Sequence, residues 1–123
     1  MVSALPKKLL ELGADPRIFV PRYESVKLKL LSAKRLASVQ VPFGNQAYPV
    51  AIYKTFVPQS RVPVYLLEQS FWLSTGKIYE TGFEGKEKNY LAKRFLFFSK
   101  AALLALEKIK FQPKIIHVHD WPT

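Results

Sequence analysis

Leu91, Phe95, Phe98, Ala102, Ala105 and Ile109 recur at intervals of four, three, four, three and four. That is the period of an α-helix with one apolar stripe, and it predicts a helix from about Tyr90 to Lys110. Phe97, Leu104 and Leu106 widen the apolar arc, so both flanks of the helix need cover, while Lys93, Lys100 and Lys108 lie off it. Gln112-Pro113 break the helix, and Lys114-Ile-Ile-His-Val-His119 reads as an apolar strand that runs into Asp120-Trp121. A helix, a proline break, an apolar strand and a polar cluster at the strand's carboxyl end form the usual layout of a ligand site in an α/β sheet.

The rest of the chain supplies the other parts of such a fold. Residues 3–13 read as a short helix, with Leu5, Leu9 and Leu12 on one face and Gly13 as its stop. Arg17-Ile-Phe-Val20, between Pro16 and Pro21, suits a buried strand, so the opening resembles half of a βαβ unit. Ala37–Phe43 and Ala47–Phe56 are strands joined at Gly44-Asn45 in an antiparallel hairpin, and Arg61–Leu67 is a further strand. Residues 69–89 have the composition of a loop.

Composition limits the alternatives. The 123 residues fit one domain, and a hydrophobic fraction of 49% with nine Phe, six Tyr and two Trp excludes wholesale disorder. Cysteine is absent, which excludes disulfides and thiolate metal sites. No apolar stretch reaches the ~18–20 residues of a membrane-spanning helix, and the first twelve residues, with Pro6, Lys7, Lys8 and Glu11, have no cleavable signal layout. A soluble, intracellular chain is expected. The formal charge of +10 gives weak, salt-sensitive attraction to polyanions. Its lysines and arginines are scattered in runs of no more than two, without a nucleic-acid-binding signature, so specific nucleic-acid binding is not expected.

The polar cluster admits three chemistries. On a strand, His117 and His119 share one face, with Ile116 and Val118 on the other. A His-x-His pair with Asp120 would begin a metal site, but these are the only two histidines and a zinc site wants three or four protein ligands. Asp120 beside His119 would serve acid–base or electrostatic chemistry. Alternatively His117 is a core histidine, and Asp120 caps the following turn.

Five ordered segments resemble the N-terminal part of bacterial glycogen synthases and plant starch synthases. They are Val2–Gly13 with Arg17–Tyr23, then Val62-Pro-Val-Tyr-Leu-Leu67, then Gly76-Lys-Ile-Tyr79, then Arg94-Phe-Leu-Phe-Phe-Ser-Lys-Ala-Ala-Leu103, and last Pro113-Lys-Ile-Ile-His-Val-His-Asp-Trp-Pro-Thr123. The resemblance implies a partial Rossmann-like N-terminal domain of a GT-B glycosyltransferase with a β-hairpin insertion, spanning residues 1–123. The enzymes it resembles are retaining hexosyltransferases that move glucose from ADP-glucose or UDP-glucose to the non-reducing end of an α-1,4-glucan, without a cofactor or metal. It implies that Asp120 is the catalytic-site contact to the sugar or acceptor, Tyr79 a donor-site residue, and His119 and Trp121 parts of the substrate wall. A carboxylate accepts several charge-assisted hydrogen bonds from sugar hydroxyls, and aromatic rings pack on sugar or adenine faces.

The departures matter as well. The family's first strand and Lys-x-Gly-Gly-Leu phosphate loop precede the position of Met1, and its second nucleotide-binding domain follows the HDW segment. A chain without them is expected to be catalytically silent alone, to expose the edges of Arg17–Val20 and Lys114–His119, and to aggregate or depend on a partner. The resemblance points to a cytoplasmic location, or a plastid in a plant. Rival readings are a non-catalytic α-glucan-binding or assembly module and a basic nucleic-acid-binding domain.

Overall fold

The computed structural model describes residues 4–23, 27–29, 31–74 and 90–119. Element order is α1 (Ala4–Glu11), β1 (Ile18–Pro21), β2 (Lys34–Phe43), β3 (Gln46–Phe56), β4 (Pro63–Glu68) and α2 (Tyr90–Lys108). The four strands form one mixed sheet in the order β1-β4-β3-β2. β1 runs parallel to β4, with Ile18 opposite Val64, whereas β2, β3 and β4 are antiparallel neighbours. A parallel pair needs a long crossover, and the β2–β3 hairpin lies within the connection from β1 to β4.

Local chemistry sets the ends of these elements. Gly44 has φ +64° and opens the two-residue hairpin loop, where the first central residue of a II′ turn requires a positive φ. Gly13 ends α1 at φ +91°, with its N–H bonded to Leu10 O and the Ala14 N–H bonded to Leu9 O. The same paired closure ends α2, with Lys110 at φ +59°, its N–H on Glu107 O, and the Phe111 N–H on Leu106 O. This is a Schellman stop built on a lysine instead of a glycine. It halts the regular helix at Lys108, two residues short of the expected end.

α2 packs over β2 and β4. Val41, Val50, Ile52 and Leu67 from the sheet and Phe97, Ala101 and Ala105 from α2 are fully buried. Phe97 sits among Phe43, Tyr48 and Trp72 at ring separations of 5.3, 5.7 and 6.0 Å. Burying such rings against one another adds quadrupole contacts to a large apolar area. The buried line of α2 is rotated from the expected stripe: Arg94, Phe97 and Ala101 join Phe95, Phe98 and Ala105, while Leu91, Ala102 and Ile109 are half-buried. Arg94 is the surprise. Its guanidinium reaches back to donate to Leu73 O at 2.9 Å, so the charge is hydrogen-bonded within the core.

The expected strand at Lys114–His119 is not formed. These residues carry no strand pairing, and Ile115, Ile116 and Val118 are 83%, 57% and 59% exposed. A strand exists only where a neighbour satisfies its N–H and C=O groups, and among the described residues none lies beside this segment.

Candidate functional site

The carboxyl ends of the two parallel strands meet at a polar cavity. The Arg22 N–H donates to Leu67 O at 2.8 Å, which carries the β1–β4 ladder one step past β1. From there the Arg22 side chain forms an ion pair with Glu68 at 3.0 Å. Both side chains are about a quarter exposed, so the pair is screened less than a surface bridge. Gln69 then turns the chain: its buried Oε1 accepts from the N–H groups of Phe71 at 3.0 Å and Trp72 at 2.6 Å. The Gln69 carbonyl accepts from Leu73 and Ser74. One side chain thus forms the tight turn that follows β4.

Register places the opposite wall. Ser38 faces Ala51 and Ala51 faces Glu68 across the sheet, on the side away from the buried Val50, Ile52 and Leu67. The resulting cavity, of about 540 Å³, is lined by Arg22, Arg35, Ser38, Glu68, Gln69 and Ser74 among others. Guanidinium, carboxylate and hydroxyl groups together suit a hydroxylated or anionic ligand, because each offers directional, charge-assisted hydrogen bonds. No motif in the sequence marks these residues. The available signal was position: polar side chains immediately after two parallel strands stand where ligands bind in α/β sheets.

Of the four site residues expected from sequence, Asp120, Tyr79 and Trp121 lie outside the described residues. His119 is described and exposed. Its ring stacks on that of His117, with centroids 4.4 Å apart and planes at 21°. The two imidazoles therefore share one side of an extended segment, as alternation requires, although the segment is not a strand. Among the described residues there is no group of three His, Cys, Asp or Glu side chains able to hold a metal ion.

The family model for the starch synthase catalytic domain matches residues 1–123, the whole chain. The chain belongs to the starch synthase catalytic domain family. Among its relatives, glycogen synthase 1 of Geobacter metallireducens is 38% identical over 127 residues, covering 100% of this chain and 24% of that protein. The glycogen synthase of Syntrophotalea carbinolica is 36% identical over 124 residues, covering 100% and 25%. The solved catalytic domain of starch synthase IV from Arabidopsis thaliana, bound to ADP and acarbose, superposes with a TM-score of 0.76 at 28% identity. That match covers 98% of this chain and 24% of the other, and it identifies the sheet and helices as those of a GT-B glycosyltransferase domain. The chain thus spans about a quarter of the length of the family members it matches. No helix among the described residues is long and apolar enough to cross a membrane.

Proposed function

We propose that this chain forms part of the N-terminal half of the active cleft in a retaining glucosyltransferase. The full enzyme moves glucose from ADP-glucose, or UDP-glucose, to the non-reducing end of an α-1,4-glucan. The observation that carries the proposal is the family match over every residue of the chain, joined to a sheet whose parallel strands end in a polar cavity. The starch synthase IV relative with ADP and acarbose supports a nucleotide and a glucan-like ligand as the two substrates.

In this reading Asp120 accepts hydrogen bonds from the sugar, Tyr79 packs on the donor side, and His119 and Trp121 line the acceptor wall. No cofactor or metal takes part. Transfer needs positive charge placed around the departing nucleotide diphosphate, a term that commonly contributes several kcal/mol to such reactions. A second domain of the full enzyme supplies that charge, so the chain alone does not transfer glucose.

The test is incorporation of radiolabelled glucose from ADP-glucose and from UDP-glucose into a maltodextrin primer. The full-length enzyme extends the primer, Asp120→Asn in that enzyme lowers kcat at least a hundredfold with the fold intact, and the 123-residue chain gives no product. Full activity in the Asp120→Asn enzyme would remove Asp120 from the site.

A further inference from the structure

The net positive charge is unevenly placed. Between Glu24 and Glu68 the sequence has no acidic residue for 43 positions, yet it carries Lys27, Lys29, Lys34, Arg35, Lys54 and Arg61. Spread along the sequence, these cations, apart from Arg35, which lines the polar cavity, are gathered by the fold. β2 starts at Lys34 and pairs antiparallel with the end of β3, so that Lys34 stands directly opposite Lys54. The β3–β4 turn, which bears Arg61, closes on the same end through the Val57 N–H to Val62 O bond. The turn with Lys27 and Lys29 is tied there as well, since Thr55 Oγ1 donates to Leu31 O at 2.7 Å. This end holds the amino termini of β1 and β4, opposite the carboxyl ends that open on the polar cavity.

Like charges directly across a sheet repel, so the Lys34–Lys54 pair costs stability in the free chain. The ion pairs among the described residues are Lys8–Glu11, Arg17–Asp15 and Arg22–Glu68, and none involves this set. Among the described residues, Lys54 lies over aromatic faces, with Phe56 at 5.4 Å and Tyr65 at 5.9 Å. Protection of an edge strand against aggregation explains lysine and arginine on β2. It does not explain Lys54 on the inner strand β3, or the cations on the two turns.

Exposed apolar groups stand among the cations: Leu31, Leu36 and Phe56 are 41%, 50% and 50% exposed. We propose that this end of the sheet docks an acidic segment of a partner protein, whose carboxylates meet Lys34, Lys54 and the turn cations and whose leucine or phenylalanine side chains cover Leu31 and Phe56. Charge complementarity sets the class of partner. The apolar groups favour a peptide over a nucleic acid. The strand-end and turn location favours it over a lipid surface, which is met by a basic amphipathic helix.

Fluorescence anisotropy on the full-length enzyme tests this, with a short labelled peptide of alternating glutamate and leucine as probe. The peptide is expected to bind, and raising the salt to about 0.5 M abolishes binding because exposed charges are screened. Lys34→Ser/Lys54→Ser weakens binding roughly tenfold, whereas Lys108→Ser/Lys114→Ser, with equal charge loss elsewhere, changes it less than twofold, as local complementarity demands. Equal losses in the two double variants would reduce the effect to net charge and overturn the proposal. So would equal binding of a glutamine–leucine peptide, or displacement of the probe by a single-stranded oligonucleotide or phosphatidylglycerol vesicles at lower concentration.

Discussion

Arg94 is an arginine in the middle of an apolar helix face, 1% exposed, and its long stem fills core volume beside Phe97 and Phe98. The guanidinium donates to Leu73 O and lies 5.4 Å from the Tyr23 ring, so one side chain joins α2 to the turn after β4 and to the end of β1. Arg94→Ala removes a charged hydrogen bond and leaves a cavity, and is expected to lower unfolding stability by about 2–4 kcal/mol in urea titration. Gln69→Ala deprives the N–H groups of Phe71 and Trp72 of their common acceptor, at a cost of about 1–2 kcal/mol. Gln69→Glu keeps an acceptor in place and is expected to recover most of that loss in the same titration.

Turn and cap geometry separates the glycines that matter from a lysine that does a glycine's work. Lys110 closes α2 at φ +59°, a conformation that costs an L side chain about 1 kcal/mol. Lys110→Gly is therefore expected to raise stability by about 0.5–1 kcal/mol, seen as a higher melting temperature. Gly44 gives the opposite result. Nothing lies within 4 Å of a Cβ built there, so Gly44→Ala meets no clash and costs only its backbone strain, about 1 kcal/mol. If Lys110→Gly melts lower than the parent, the Schellman reading of the α2 end is wrong.

The sheet as a whole has two chemically distinct ends and one flank that is open among the described residues. Its carboxyl end carries the polar cavity, and its amino end gathers the cations. On the flank, β1 pairs with β4 alone among the described residues, and the segment 114–119 leaves Ile115, Ile116 and Val118 exposed. Exposed apolar side chains of this size and an unpaired strand edge promote association. The chain is expected to self-associate at micromolar concentration in sedimentation velocity, and Ile115→Lys/Ile116→Lys to increase the monomer fraction. A parent chain that stays monomeric and melts sharply would contradict this.

The helix over 90–110, the hairpin at Gly44-Asn45 and the strands around 18–21, 46–56 and 63–67 were legible because period and turn chemistry are local properties. Family membership was legible too, in five ordered segments, each too short to be specific by itself. The burial of Arg94 was not legible, because a polar residue at a helix position declares nothing about a carbonyl contributed from 21 residues away. Nor was the cavity, whose walls come from β2, β3, the end of β4 and the segments that follow β1 and β4, and meet only through register. The segment 114–119 has every local mark of a strand, yet a strand is completed by a neighbour's hydrogen bonds, which no residue carries in itself. Sequence determined the local elements and the lineage of this chain, whereas tertiary structure alone decided which charges meet, which arginine is buried and which strand finds a partner.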